Sequence, residues 1–317
     1  MKKKIETLAL SLILIGLAAG PKVDAIAFRG QKPMLNNAPY DLSLGITEEL
    51  SVTLTHKGPA TDYFITFGPG SSGDAAARQM LNDLGEVIQY NVYDNEIAGN
   101  ILKDGPDPEN VLSGSFPAVT QGGPVTETKT FSIIVPPEQF PPAGTYTDTV
   151  TLSLYEGSFD NPIGPTGSTV EMSLRVVMEE IIELSLVPPG GVFDSNFQSP
   201  QTLDFGYIYP DQTYTRSIDV LARANTPYDL SISSSNSGVM THVDQNDPST
   251  IPYQLSSNGT PVDLSTGDQL IAGAAGPSGW TGDRYSLIFE TMDYAGAAEL
   301  PSEGDYQDTL TITITAN

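Results

Sequence analysis

Across 317 residues the chain carries 39 acidic side chains against 14 basic ones, a net charge of −25, which suits neither nucleic acid nor an anionic lipid surface. It has no Cys, so neither disulfides nor thiolate ligands can hold the fold, and its two His, His56 and His242, leave little from which to build a zinc site or a nucleophilic relay. The composition supports an acidic, solvated surface around ordinary packed cores, with no catalytic residue, no metal and no cofactor expected.

The chain opens on Met1 and three lysines, Lys2, Lys3 and Lys4, followed by an apolar stretch from Leu8 to Ala19. This charge-then-apolar order is that of a secretory signal peptide, and the stretch is short for a membrane span. Val23 and Ala25 place small residues where a signal peptidase reads, so residues 1–25 are predicted to be removed and the exported chain to begin at Ile26. That leaves 10 basic against 37 acidic residues. Ile26 to Asn37, with Arg29, Gly30, Gln31, Lys32 and Pro33, lacks the apolar alternation that a free strand offered to a neighbour would need.

Beyond it, runs such as Ser51 to Thr55, Phe131 to Val135 and Thr149 to Leu154 alternate apolar and polar residues or are rich in β-branched ones, and 30 Gly and 25 Pro punctuate the chain. Short strands between turn signals predict β-sandwiches. Only Asp74 to Leu84, with Ala75, Ala76, Ala77, Met80 and Leu81, has a helical look. The length of the exported chain suits two domains, placed at 26–178 and 179–317.

An internal repeat supports that division. Gly144, Tyr146, Asp148, Thr149, Val150, Leu152 and Leu154 recur as Gly304, Tyr306, Asp308, Thr309, Leu310, Ile312 and Ile314, offset by 160. Upstream, Ile88, Tyr90 and Val92 are echoed by Ile251, Tyr253 and Leu255, and Tyr63, Ile65, Ser72 and Gly73 by Tyr228, Leu230, Ser237 and Gly238. In each copy Gly lets the chain turn, Tyr buries its ring while its hydroxyl reaches a partner, and Asp-Thr satisfies local backbone donors before an alternating strand begins.

The copies then diverge. After Leu154 the first passes a Gly/Pro-rich turn, Gly157 to Gly167, into a further alternating strand through Val170, Met172, Leu174 and Val176. The second has nothing comparable after Ile314. The predicted fold class is therefore all-β, two immunoglobulin-like β-sandwich domains in tandem, the second lacking its last strand. Leu310, Ile312 and Ile314 would line an apolar groove left open for a donor strand. In the alternative, the segment from Val176 to Val187 fills the gap.

Taken together, Pro142 to Val150, the tract from Tyr63 to Gly73, Tyr90 to Tyr93, and in the second half Leu203 to Gly206, Thr226 to Tyr228 and Gly304 to Ile314 resemble the spore coat protein U domain of archaic, Csu-like chaperone-usher pili. The resemblance implies a tip subunit with an adhesin domain before a pilin domain, reaching the cell surface through the periplasm. Its implied partners are a periplasmic pilus chaperone, an outer-membrane usher, an adjacent pilus subunit donating a strand, and an unidentified surface or host receptor. Subunits of that family commonly carry a disulfide, and this chain departs from them in having no Cys. Candidate adhesive loops are Phe67 to Asp74, Gly114 to Val119 with Phe116 and Val119, and Gly157 to Ile163 with Phe159 and Ile163, where apolar residues lie among turn formers.

The acidic clusters Asp104, Asp107, Glu109 and Asp244, Asp247 lack the ordered spacing of a calcium loop. Asp148 and Asp308 recur in both copies, which argues for a structural role rather than a catalytic carboxylate pair. A competing reading is a secreted carbohydrate-binding or surface-layer protein with two complete sandwiches, for which Trp280 is a meagre sugar platform. A third, a β-sandwich hydrolase, lacks a recognisable nucleophile and base.

Overall fold

The computed structural model describes residues 26–95, 99–105, 107–194, 201–297 and 299–317; the leader expected over residues 1–25 lies outside them. The first half contributes β1 (Ala27–Arg29), β2 (Met34–Pro39), β3 (Ile46–His56), β4 (Thr61–Phe67), β5 (Gln79–Leu81), β6 (Val87–Gln89), β7 (Asn91–Tyr93), β8 (Leu112–Phe116), β9 (Val125–Val135), β10 (Gly144–Ser158) and β11 (Asn161–Met178). They form two sheets, β1-β3-β9-β7 and β2-β11-β10-β4-β8, the latter with β5 and β6 attached beside β10. Alternation along β10 turns Tyr146, Val150, Leu152 and Leu154 into the space between the sheets, where each is at most 1% exposed, while the intervening Thr147, Thr149 and Thr151 face solvent.

The second half forms β12 (Ile182–Val187), β13 (Thr215–Ala224), β14 (Tyr228–Ser234), β15 (Val239–His242), β16 (Thr250–Ser257), β17 (Thr260–Val262), β18 (Gln269–Ala274), β19 (Asp283–Thr291), β20 (Tyr306–Gln307) and β21 (Leu310–Ala316). Its sheets run β12-β13-β19-β16-β15-β20 and β18-β14-β21. The two halves bury separate cores with no residue in common, one centred on Phe67, Phe131 and Leu152, the other on Val220, Leu230 and Leu287.

They meet at Asn225, which is fully buried. Its amide donates to Ile181 O at 3.1 Å and its carbonyl accepts from Ala143 N at 2.9 Å. Its side chain accepts from Ile181 N at 2.8 Å and donates to Glu179 O at 2.8 Å. Close by, the Arg223 guanidinium pairs with Glu183 and lies over the rings of Phe193 and Trp280, at 4.1 and 4.7 Å. Trp280 also meets Phe140 edge-on at 6.2 Å. The indole weighed as a sugar platform is thus engaged by Arg223 and Phe140 in this junction, with 38% of the residue left exposed.

Two local expectations are corrected. Residues 74–84 form no helix: Asp74 caps a turn through Ala76 N, and β5 follows. The reason is Arg78, whose fully buried guanidinium is bound by Phe67 O, Gly68 O, Leu102 O and Asn91 Oδ1. Eleven residues of helical spacing yield to that set of hydrogen bonds. The Gly/Pro-rich stretch 157–167 is likewise not a long turn. β10 runs to Ser158 and β11 starts at Asn161, with bulges absorbing the irregularity. The only ladder that β2 offers to β11 spans Ser173 to Val177, so Pro162 and Pro165 sit where a missing N–H costs nothing on that edge.

Candidate functional site: an open flank and a distal hairpin

The repeat is the same hydrogen-bonded device built twice. In the first copy the Tyr146 hydroxyl donates to Pro142 O at 2.7 Å, and in the second the Tyr306 hydroxyl donates to Ser302 O at 2.8 Å. Asp148 Oδ1 accepts from Thr149 N and Asp308 Oδ1 from Thr309 N, each at 2.7 Å. The other oxygen of each carboxylate accepts a tyrosine hydroxyl at 2.5 Å, from Tyr90 and from Tyr253. Burial, reinforced by the adjacent carboxylate, pushes both phenols well above the usual tyrosine range. The two glycines share a backbone setting, φ +150° at Gly144 and +157° at Gly304, which favours Gly. At Gly304 a Cβ would also lie 1.9 Å from His242 Nε2.

Strand register extends the match. Leu154 opposes Ile65 and Leu152 opposes Phe67, just as Ile314 opposes Leu230 and Ile312 opposes Ile232. By these pairings β10 corresponds to β21, β4 to β14 and β8 to β18. The opposite sheets agree as well: β1-β3-β9-β7 has the order of β12-β13-β19-β16. What differs is the far side of the repeat strand. β10 is paired along its whole length with β11, from Gly144 opposite Met178 to Ser158 opposite Asn161. Among the described residues β21 pairs with β14 alone.

Side-chain burial follows. Tyr146, Val150, Leu152 and Leu154 are fully buried, whereas Tyr306, Leu310, Ile312 and Ile314 are all half-buried. Ile182, Leu184 and Leu186 on β12, the edge of the facing sheet, are half-buried too and pack against the same core. The second sandwich is thus open along one flank between β12 and β21. The segment weighed as a self-made filler, 176–187, does not add a strand beside β21: its β12 pairs antiparallel with β13 in the other sheet and packs across the flank against β21.

The chain's first described residues are consumed within the first sandwich. Ile26 is 1% exposed, β1 pairs with β3, and β2 pairs parallel with β11, with Leu35 turned inward.

The candidate loops separate into two groups. Gly114 to Val119 and Gly157 to Ile163 converge at the end of the first sandwich remote from Asn225, flanking a cleft of about 590 Å³ lined in part by Thr61, Asp62, Phe116, Asn161 and Ile163. Phe67 to Asp74 is elsewhere, folded along the middle of β10 through Gly68 N to Thr151 O and Ser71 N to Asp148 Oδ1, both 2.9 Å. Within the converging pair, Phe116 is no surface ring. It is 4% exposed and stacked between His56 and Tyr63, at 5.1 Å from each, plugging the end of the sandwich. Phe159 rests edge-on against Phe64 at 5.3 Å and Val119 is half-buried. Ile163 stands 72% exposed on the hairpin.

The acidic clusters act as turn caps. Asp107 Oδ1 accepts from Glu109 N at 3.1 Å and Asp244 Oδ1 from Asn246 N at 3.0 Å. Asp247 accepts from Ser249 N and the Ser302 hydroxyl, which holds its carboxyl down at about 2.

The fold and the site define an all-β protein of two immunoglobulin-like sandwiches in tandem, the second without a counterpart of the first one's last strand among the described residues. Residues 30–153, most of the first sandwich, match the family model for the Spore Coat Protein U domain. No curated protein matches the chain. Among solved structures, the chaperone and tip subunit pre-assembly complex CsuC-CsuE from archaic chaperone-usher Csu pili of Acinetobacter baumannii is 14% identical, with 92% of this chain and 99% of that one covered and a TM-score of 0.44. CfaE, the adhesive subunit of CFA/I fimbria of enterotoxigenic Escherichia coli, is 14% identical over 92% of this chain and 82% of that one, with a TM-score of 0.35. CssB complemented with a donor strand from CssA, from the same kind of Escherichia coli, is 18% identical over 49% and 97%, with a TM-score of 0.26. Each superposes loosely, and what those proteins assemble with is a property of theirs.

Proposed function

We propose that this chain is a non-enzymatic subunit of a surface pilus assembled by a chaperone-usher pathway, and that it sits at the fibre tip as an adhesin. The observation that carries this reading is the burial contrast along the repeat: the same apolar positions are sealed at Val150, Leu152 and Leu154 and half-open at Leu310, Ile312 and Ile314. An unpaired edge strand over a half-exposed core invites a strand from another polypeptide. Filling the flank with four or five alternating apolar side chains would contribute on the order of 8–12 kcal/mol before ordering costs. A periplasmic chaperone would supply that strand first, and a neighbouring subunit delivered at the outer-membrane usher would replace it.

Tip position is supported by the use of residues 26–39 within the first sandwich, where β1 and β2 are already paired and so not free to donate. The adhesive surface is the end of the first sandwich remote from the junction. The β10/β11 hairpin reaches it over 15 residues of β10, about 45 Å at the usual strand rise, and carries Ile163 outward. Attachment to a surface or a host receptor, and hence biofilm formation, would begin there.

The test is periplasmic expression of the full chain alone, with its chaperone, and with a donor strand fused to its end. The chain alone should be degraded or aggregate, and either addition should restore a soluble, folded protein. A stable monomer indifferent to both would overturn the reading in favour of a self-sufficient secreted module.

A further inference from the structure

The first sandwich holds, in place, a strand that has no counterpart in the second among the described residues. The offset of 160 aligns Gly304, Tyr306, Asp308, Leu310 and Ile312 with Gly144, Tyr146, Asp148, Val150 and Leu152, and β11 states what stands opposite each of the latter. Met178 opposes Gly144, Val176 opposes Tyr146, Leu174 opposes Asp148, Met172 opposes Val150 and Val170 opposes Leu152. Residues directly opposite in an antiparallel pair point to the same face. Accordingly Met172, Leu174, Val176 and Met178 are at most 2% exposed, while Glu171, Ser173 and Arg175 between them face out.

Resting on the strand-acceptor reading above, we infer that the open flank takes an extended peptide antiparallel to β21 whose inward side chains follow the order of the chain's own β11. That order is Val, Met, Leu, Val, Met at alternate positions, from opposite Ile312 to opposite Gly304. Three features carry this. The register of the repeat strand against its inner neighbour is the same in both copies, so the slot lies at the same height. The facing edge strand is β1 in one copy and β12 in the other, each first in its sheet order. Along the repeat strand the volumes also differ little: Ile312 replaces Leu152 without change in carbon number, and Leu310 adds one carbon to the place of Val150. The residue opposite Leu310 should therefore be no larger than Met, because packed interiors resist added volume. The polarity is fixed as well. The amino end of the incoming strand lies beside Ile312 and Ile314, and its carboxyl end beside Tyr306.

The experiment follows from the same alignment, in which Asn317 stands at the position of Gly157. A copy of residues 158–178 is appended directly after Asn317 of the full chain, so that β21 continues into a second version of the β10/β11 hairpin. It is compared with a version whose appended Met172, Leu174 and Val176 positions are Ser, and with a fusion to an unrelated strand taken from the amino terminus of a pilus subunit. We expect the β11 copy to yield soluble protein without a chaperone, slow amide exchange along β21, and loss of both in the serine version. If the unrelated strand rescues and the β11 copy does no better than its serine version, the inference falls while the strand-acceptor reading stands. If no appended strand and no chaperone alters solubility or exchange, the reading beneath it falls.

Discussion

Tyr253 donates its hydroxyl to Asp308 at 2.5 Å, as Tyr90 does to Asp148 163 and 160 residues earlier in the chain. One phenol and one carboxylate thus tie the motif to the facing sheet in each sandwich, beside β7 in the first and on β16 in the second. Removing the hydroxyl leaves a carboxylate oxygen short of a partner, and a charge-assisted bond of this kind contributes about 1.5–3 kcal/mol. Tyr90→Phe should lower the stability of the first sandwich by that amount. Asp148→Ala should cost more, because it also strands Ser71 N and Thr149 N. Urea unfolding of both variants checks the order.

The same hydroxyls set an alkaline limit. Burial raises the phenol of Tyr146 to about 12 and drives Tyr63, Tyr90, Tyr228 and Tyr253 in the same direction. A folded-state value above the unfolded one, about 10 for Tyr, means that the fold favours the protonated phenol. The associated stability is complete below pH 10 and is lost as pH rises through 12 and beyond. Tyrosinate absorbance should show the buried set ionising only as the circular dichroism of the sheets collapses. Smooth ionisation of all the tyrosines near pH 10 with the sheets intact would contradict it.

What the sequence disclosed and what it withheld divide along physical lines. The repeat was readable because its parts are local: a Gly for the turn, a Tyr and Asp two apart, and an alternating strand. The strand that follows the first repeat was readable because Val170, Met172, Leu174 and Val176 alternate with polar residues, as β11 does in the structure. Long-range pairing was not readable. Nothing local in Met34 to Pro39 announces a parallel ladder to β11, and Gly/Pro content at 157–167 concealed strand that pairing with β10 sustains. Arg78 was missed for a related reason: a guanidinium reads as surface until the carbonyls of residues 67, 68 and 102 are known to converge on it.

That convergence predicts a severe core defect. Arg78 is fully buried with neutral oxygens as its bonded partners, and burial depresses the pKa of its guanidinium. Arg78→Leu would fill part of the volume but strand the carbonyls of Phe67, Gly68 and Leu102, at about 1–3 kcal/mol each where water cannot reach them. A loss of at least about 3 kcal/mol is expected. Arg78→Lys should recover only part of it, since one ammonium cannot reproduce the planar fork. Calorimetry should show the first sandwich's transition moving and the second's unchanged.

Matched substitutions in the two copies should differ in cost until the flank is filled. Leu152→Ala opens a cavity in a sealed core and should cost about 2–5 kcal/mol. Ile312→Ala removes a side chain that is already half in water and leaves no closed void, so about 1 kcal/mol is expected in the chain by itself. In a strand-complemented chain the cost at Ile312 should rise to match that at Leu152. Equal costs in the uncomplemented chain would mean that the flank is closed in solution.

Asn225 offers the last test, because its side chain holds the segment between the sandwiches at Glu179 and Ile181 while its backbone carbonyl meets Ala143 of the first half. Its amide and carbonyl bonds would survive substitution, but the side-chain bonds to Ile181 N and Glu179 O would not. Asn225→Ala should therefore leave both cores folded while freeing residues 179–181, with about 2 kcal/mol lost for the two stranded groups. Asn225→Asp keeps the acceptor for Ile181 N, loses the donor to Glu179 O, and adds a charge to a fully buried position, so it should be worse than Ala. Small-angle scattering should report a broader distribution of shapes for both variants, and protease cleavage should appear between Met178 and Ile182. If the scattering of Asn225→Ala matches that of the wild type and the segment stays protected, the Arg223, Trp280 and Phe140 contacts are enough to hold the halves together.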